Sequence, residues 1–349
     1  MLSPSQPAVI LAPMEGVTDA PMRAVLSAVG GYTFCVSEFV RVSHTVLGAS
    51  VFRKRVPELL CGARTPSGLA VQVQILGGDP GRVAESAVNA VTAGATAVDL
   101  NFGCPAPTVN RHDGGASLLK DPPRVRAVVR AVRDAVPADI PVSAKMRLGW
   151  DRTDTIFETS AMAAEGGASW ITIHARTRMQ CYAPPVNWEL IGQVRERLRL
   201  PVVANGDIHN LADFRRCREI TGCIHFMLGR GAVADPGLAA RVAKELVPVG
   251  APLVGALQSG APTRGAPTEG LGDEVFSLSP DWPTLLRQLP AFTPTADRSP
   301  TGSLKRMKQW LRLASACGTF AHFDRVKRTT SAEELLAVVG AASERGCPA

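Results

Sequence analysis

The sequence predicts an α/β fold: a (β/α)8 barrel followed by a small C-terminal helical domain. Short β-rich apolar runs alternate with amphipathic helical stretches. Eight such units occupy about 240 residues, the count and size of that barrel. Beyond Leu246 the composition breaks and the alternation stops. The competing architecture is an open doubly wound sheet, which usually carries a Gly-x-Gly-x-x-Gly loop after its first strand; none is present.

Strands are expected at Val9–Leu11, Thr33–Ser37, Ala70–Leu76, Ala97–Leu100, Val142–Met146, Trp170–Ile173, Pro201–Ala204 and Ile224–Leu228. Helical patterns lie between them at Pro21–Val29, Gly81–Ala93, Pro123–Val136, Asp154–Glu165, Trp188–Arg197, Leu211–Ile220 and Gly237–Leu246. The stretch 32–69 is less regular, with one candidate helix at Ser43–Leu47. Residues 1–246 then form the barrel. Residues 247–273 read as a linker, with Gly-Ala-Pro recurring at Gly250, Gly260 and Gly265, and 274–349 as the helical domain. A second loose stretch runs from Pro290 to Gly302. After it, Leu304, Met307, Leu311 and Ala314 make the apolar stripe of a helix over Ser303–Ala316, with Ser303 as its cap.

The chain has 349 residues, 46% of them hydrophobic, enough for a large core. No stretch approaches the roughly 18 apolar residues of a membrane span. Met1 to Gln6 lack a basic and apolar leader. The eight cysteines are scattered, without Cys-x-x-Cys or metal-ligand spacing, so a reducing cytoplasm and no metal are expected. The net charge of +7 is concentrated: between Leu304 and Arg328 stand Lys305, Arg306, Lys308, Arg312, Arg325, Lys327 and Arg328 against Asp324 alone. Such a patch suits a polyanion, although a solvated helix face would look the same.

Barrel enzymes carry their chemistry at the C-terminal ends of the strands. Read in order, those ends are Pro13-Met14-Glu15-Gly16, Glu38, Gln74, Asn101 with Cys104, Lys145 with Arg147, His174, Asn205-Gly206-Asp207 and Gly229-Arg230-Gly231. Lysine is rarely buried unpaired, so Lys145 at a strand end points to a lined pocket. The last two groups occupy the usual barrel phosphate site, where glycines admit phosphate to backbone N–H groups and Arg230 adds charge. Gln74 and Lys145 near the other end suit a ring with carbonyl acceptors, and FMN is such a ligand, with Lys145 stabilising its anionic reduced form. Cys104, held between Gly103 and Pro105, reads as exposed and fixed in direction. A free thiol, with a pKa of about 8.5, keeps its proton near neutrality and can donate it. No second cysteine lies near it in sequence.

At these residues the chain resembles the tRNA-dihydrouridine synthases. The matching stretches are Ala12-Pro13-Met14-Glu15-Gly16-Val17, Asn101-Phe102-Gly103-Cys104-Pro105, Lys145-Met146-Arg147, His174-Ala175-Arg176-Thr177, Asn205-Gly206-Asp207 and Gly229-Arg230-Gly231. The resemblance implies FMN as cofactor, NADPH as its reductant, tRNA as partner, and reduction of uridine to 5,6-dihydrouridine. It makes Cys104 the proton donor. Pro13, Met14, Glu15, Gln74, Lys145, His174, Asn205, Gly206, Asp207, Gly229 and Arg230 become the FMN contacts, and Asn101 lies beside the target base. Within the family the chain is most similar to the bacterial class acting on uridine 16 of the D-loop, on Glu38-Phe39-Val40-Arg41-Val42, Thr108-Val109-Asn110, Arg147-Leu148-Gly149-Trp150-Asp151 and Lys308-Gln309-Trp310-Leu311. That likeness implies tRNA contacts at Arg41, Tyr182, Arg306, Lys308 and Arg325, and a monomer. It departs from the pattern at Ala183-Pro184-Pro185 and Arg111-His112-Asp113. The rival readings are an FMN barrel reducing a free pyrimidine, a Schiff-base barrel using Lys145, and a non-catalytic RNA-binding protein.

Overall fold

The computed structural model describes residues 2–111, 114–246, 280–292 and 299–343. The linker expected at 247–273, and His112 with Asp113, lie outside them. Among the described residues, nine strands form one parallel sheet: β1 (Ala8–Leu11), β2 (Phe34–Val36), β3 (Val40–Arg41), β4 (Val71–Leu76), β5 (Val98–Phe102), β6 (Val142–Arg147), β7 (Ile171–His174), β8 (Val202–Asn205) and β9 (His225–Leu228). β1 pairs with both β2 and β9, and β2 pairs with β4, so eight strands close into a barrel. The ninth, β3, is a two-residue addition that sets Val40 and Arg41 beside Ile75 and Leu76 at the end of β4. Eight parallel strands with helices outside make a (β/α)8 barrel, as the sequence predicts.

Local chemistry explains where the helices start. Asp19, Asp79, Asp121 and Asn210 each accept a backbone N–H of the first turn, and in the three aspartate-capped helices a proline follows within two residues. Two expected elements move. The candidate helix at Ser43–Leu47 is instead a helix at Ala49–Arg55 and a 3-10 turn at Pro57–Cys61. Of the loose stretch expected at Pro290–Gly302, Pro290 belongs to the helix Trp282–Phe292 and Gly302 to the helix Pro300–Ala316, while 293–298 lie outside the described residues. The cap of the latter is Ser299, which accepts the Gly302 N–H at 2.9 Å, not Ser303.

The barrel interior is divided. One side is an apolar plug that includes Ile10, Phe34, Val36, Val203 and Met227. On the other side Gln72, Gln74, Asp99, Ser143 and Thr172 are all buried. Side chains alternate across a strand, so Val-Gln-Val-Gln in β4 and Val-Ser-Ala-Lys in β6 place apolar groups against the helices and polar ones inside. The sequence-based expectation of plainly apolar strands is corrected here.

The C-terminal helices pack directly on the barrel. Trp310 is buried, donates to the Val233 carbonyl at 2.7 Å and meets Trp282 edge to face. Arg23 joins the helix Ala20–Val29 to the turn Pro57–Cys61. Its guanidinium reaches Glu58 at 2.9 and 2.8 Å and the Thr18 carbonyl at 2.7 Å, with both side chains buried. Removing one charge of such a pair strands the other in a low-dielectric interior. Glu58→Gln should destabilise the chain by about 3 kcal/mol, seen as a lower midpoint in urea unfolding.

Candidate active site

The C-terminal strand ends surround a cavity of about 580 Å³. All eleven residues expected to bind cofactor line it, and so do Asn101, Cys104 and Tyr182. Leu313 brings the helix Pro300–Ala316 into its wall. Arg41, Arg306, Lys308 and Arg325 lie outside the lining.

Cys104 sits just past β5 and is half-buried, less open than its Gly-Cys-Pro setting suggests. Asn101 Oδ1 accepts the N–H groups of Gly103 and Cys104, each at 2.9 Å. Burial pushes the Cys104 thiol up, and the Ala106 N–H and Arg147 only partly oppose this, so it is protonated at neutral pH. Gly115 packs against it: with φ +61°, a Cβ there would lie 3.0 Å from the Cys104 Cβ. Arg147 ties this loop to the next by donating to the carbonyls of Gly103 (2.8 Å), Thr177 (3.0 Å) and Cys181 (2.8 Å). The fold therefore brings Cys181, distant in sequence, to the same cavity.

Lys145 of β6 also lines this cavity. It donates to Asn205 Oδ1 at 3.2 Å, while the Asn205 amide is held by the Met227 carbonyl at 2.8 Å. Burial, reinforced by Arg147, lowers the Lys145 pKa to about 8. His174 is held well below its ordinary range by burial and by Arg147, Lys145 and Arg176, and its Nδ1 is buried without a partner among the described residues. A neutral imidazole and an ammonium with spare donors thus face one space.

Across the barrel the site is cationic. Arg176 grips Asp207 with both terminal nitrogens, one at 2.8 Å, and Arg230 adds a bond at 2.8 Å. Burial would raise the Asp207 carboxyl, but hydrogen bonds from Arg176 and His209 and the charge of both arginines hold it well below its usual range. His209 stands 3.6 Å from Asp207 and 3.8 Å from Cys317 of the helical domain, and those contacts raise its pKa to about 9. Three cations around one carboxylate leave two positive charges in surplus. Gly231 lets the loops after β8 and β9 touch, since a Cβ there would lie 2.2 Å from the Ile208 carbonyl oxygen. Sequence reasoning named Arg147 at a strand end and Arg176 in a matching stretch but gave neither a role, and it missed His209. The first two had a signal, because each continues the polar alternation beyond Lys145 or His174.

The expected RNA contacts fall into two groups. Tyr182 is exposed over the cavity, with Arg230 and Arg147 at 5.0 and 5.4 Å from its ring centre, and Arg325 is exposed on the helical domain. Arg41, Arg306 and Lys308 are engaged within the chain. Arg41 donates to the Thr108 carbonyl at 3.0 Å. Arg306 holds the carbonyls of Gly16 and Val17 and the Asp19 carboxylate, docking its helix on the loop after β1. Lys308 donates to the carbonyls of Lys327 and Thr329.

A closed barrel whose strand ends gather a protonated thiol, a recessed lysine and a cationic rim carries the groups of an enzyme active site. The family model "Dihydrouridine synthase" matches residues 10–251. The tRNA-dihydrouridine(16) synthase of Neisseria meningitidis serogroup B is 41% identical over 329 residues, 94% of this chain and 92% of that protein. That of Aquipseudomonas alcaligenes is 51% identical over 235 residues, 67% of this chain and 75% of that protein. Among solved structures, histamine dehydrogenase from Rhizobium sp. 4-9 superposes with a TM-score of 0.52 at 14% identity, over 68% of this chain but 46% of that one, which speaks for the fold. The chain belongs to the dihydrouridine synthase family, and its reaction is tRNA-dihydrouridine synthesis. Among the described residues no helix is long and apolar enough to cross a membrane.

The lysine gives a pH test. In the folded chain Lys145 titrates near 8, against 10.5 for an ordinary lysine, so between those values the unfolded chain binds more protons. This residue's contribution to stability therefore rises with pH across that window, and its burial cost is present in full below pH 8. Lys145→Met should stabilise ligand-free protein by on the order of 3 kcal/mol at pH 7, with the margin shrinking as pH climbs from 8 toward 10.5. Chemical unfolding at several pH values measures it.

Proposed function

We propose that the cavity holds FMN, that NADPH reduces it, and that the substrate is uridine 16 in the D-loop of tRNA. The observation that carries this reading is the joint placement of Cys104, Lys145 and the cationic rim around one cavity. The residues fit the cofactor. A phosphate monoester dianion matches the two-charge surplus around Asp207, where Arg230 and His209 line the cavity beside Gly206 and Gly229. The unpartnered His174 Nδ1 and the spare donors of Lys145 suit the polar edge of a flavin, and Pro13, Met14 and Glu15 supply the wall after β1. Bound there, FMN supplies hydride to the C5–C6 double bond of the uracil ring.

The chain's own groups do the rest. Cys104 keeps its proton at neutral pH and gives it to the other carbon of that bond, so one hydride and one proton saturate it. Lys145, cationic below about pH 8, balances negative charge on the cofactor ring. Tyr182 offers an exposed ring on which an extruded base stacks, and Asn101 stands next to Cys104 at the base's edge. Arg325 and Arg41 meet phosphates, while Arg306 and Lys308 place the helices that carry the basic surface. The position rests on relatives named for uridine 16, one matching 94% of this chain.

Cys104→Ala should retain bound flavin and NADPH oxidation but lose dihydrouridine formation by at least about 100-fold, measured by mass spectrometry of nucleosides from treated tRNA. Unchanged product formation would remove Cys104 from the acid role.

A further inference from the structure

We propose that Asp99, buried inside the barrel below the cavity, is a positioning residue that acts through Gln74 and Asn101 to fix the hydrogen bonds holding the backbone of Cys104. It deepens the proposed function, resting on Cys104 as the proton donor. Asp99 does not line the cavity, so any effect it has on the thiol travels through other side chains.

The chain of bonds has one direction. The N–H groups of Gly103 and Cys104 can only donate, so the atom of Asn101 that meets them at 2.9 Å is its oxygen. That turns Asn101 Nδ2 toward Gln74, where it donates to Oε1 at 2.8 Å. Gln74 must then present Nε2 on its far side, and this nitrogen donates to Asp99 Oδ2 at 2.7 Å. The other oxygen of Asp99 accepts from the Ser143 hydroxyl, which in turn accepts from Gln72 Nε2 at 2.9 Å. A carboxylate accepts at both oxygens, so it is the one terminus that satisfies both arms. The β4–β5 pairing sets this up. Gln74 lies level with Asp99, and Asn101 is two residues further along the same face of β5. Every member except Asn101 is buried, so water cannot repair a reversed amide.

The reversal can be engineered. In Asp99→Asn the amide oxygen still serves Ser143, but its NH2 group meets the NH2 of Gln74. A flip of Gln74 passes the conflict to Asn101 and so to Cys104. In Gln74→Glu two carboxylates meet instead. The double variant Asp99→Asn/Gln74→Glu restores every bond, because the carboxylate at 74 accepts from both neighbouring amides.

The readout is the rate of iodoacetamide alkylation at Cys104, resolved by peptide mass spectrometry in FMN-saturated protein, with exposed Cys61 as internal standard. Each single variant should shift the Cys104 rate at least about 5-fold, and the double should return it to within about 2-fold of the parent. In turnover, Asp99→Asn should lower kcat about 10- to 100-fold with little change in KM for tRNA. Should Asp99→Asn not fold, Gln74→Glu against the double carries the same comparison. A double no closer to the parent than Gln74→Glu, or a folded Asp99→Asn with unchanged alkylation, overturns the proposal. Flavin loss through the residue-74 change would leave the double as perturbed as Gln74→Glu. Alkylation reads the loop whatever the thiol does, so Cys104→Ala remains the separate test of the acid role.

Discussion

The interior of this barrel depends on satisfying buried polar groups without water. An unpaired amide or hydroxyl in such a place costs about 1–3 kcal/mol, comparable to a large part of a domain's net stability. The barrel meets most of that constraint by joining Gln72, Ser143, Asp99, Gln74 and Asn101 into one hydrogen-bonded run across β4, β5 and β6, which leaves Gln72 Oε1 and the Thr172 hydroxyl without a partner among the described residues. Its upper end is the backbone of Cys104. The same bonds that make the core tolerable therefore aim the loop that carries the chemistry. The apolar plug on the opposite wall has no such reach, and the reactive groups are not found above it alone.

A second constraint is charge. Asp207 neutralises part of a cluster formed by Arg176, Arg230 and His209, and what remains suits a doubly charged anion. His209 also touches Cys317, Arg306 holds the loop after β1, and Leu313 enters the cavity wall. The C-terminal helices thus complete the site from above while presenting a basic exterior. The proposed function requires a site for a small anion beside one for a polyanion, and these two cationic surfaces adjoin.

The barrel was legible because parallel strands and amphipathic helices have different periods, and because strand ends carry polar residues. All the cofactor positions expected from those ends meet at one cavity. What escaped was the finer alternation. Val98-Asp99-Leu100 reads as an apolar run with one interruption, and only the register with Gln74 and Ser143 shows that Asp99 faces inward. The helix at Ala49–Arg55 escaped because Gly48 starts it without a side-chain cap. Arg306 and Lys308 could not be separated from free cations by composition, since their partners lie far away in sequence: the loop after β1 with Asp19 for Arg306, and the carbonyls of Lys327 and Thr329 for Lys308. His209 gave no signal, because its importance comes from contacts to Asp207 and Cys317 that no local pattern records.

The central claim is that one cavity reduces a uracil ring only as part of tRNA. The most direct measurement is anaerobic: purified protein is reduced with NADPH in the presence of FMN, unmodified tRNA is added, and flavin absorbance is followed. Rapid reoxidation with tRNA, and none with uracil or orotate, is the expected result. Reoxidation by the free pyrimidine alone, or no NADPH-dependent loss of flavin absorbance with FMN supplied, would contradict it.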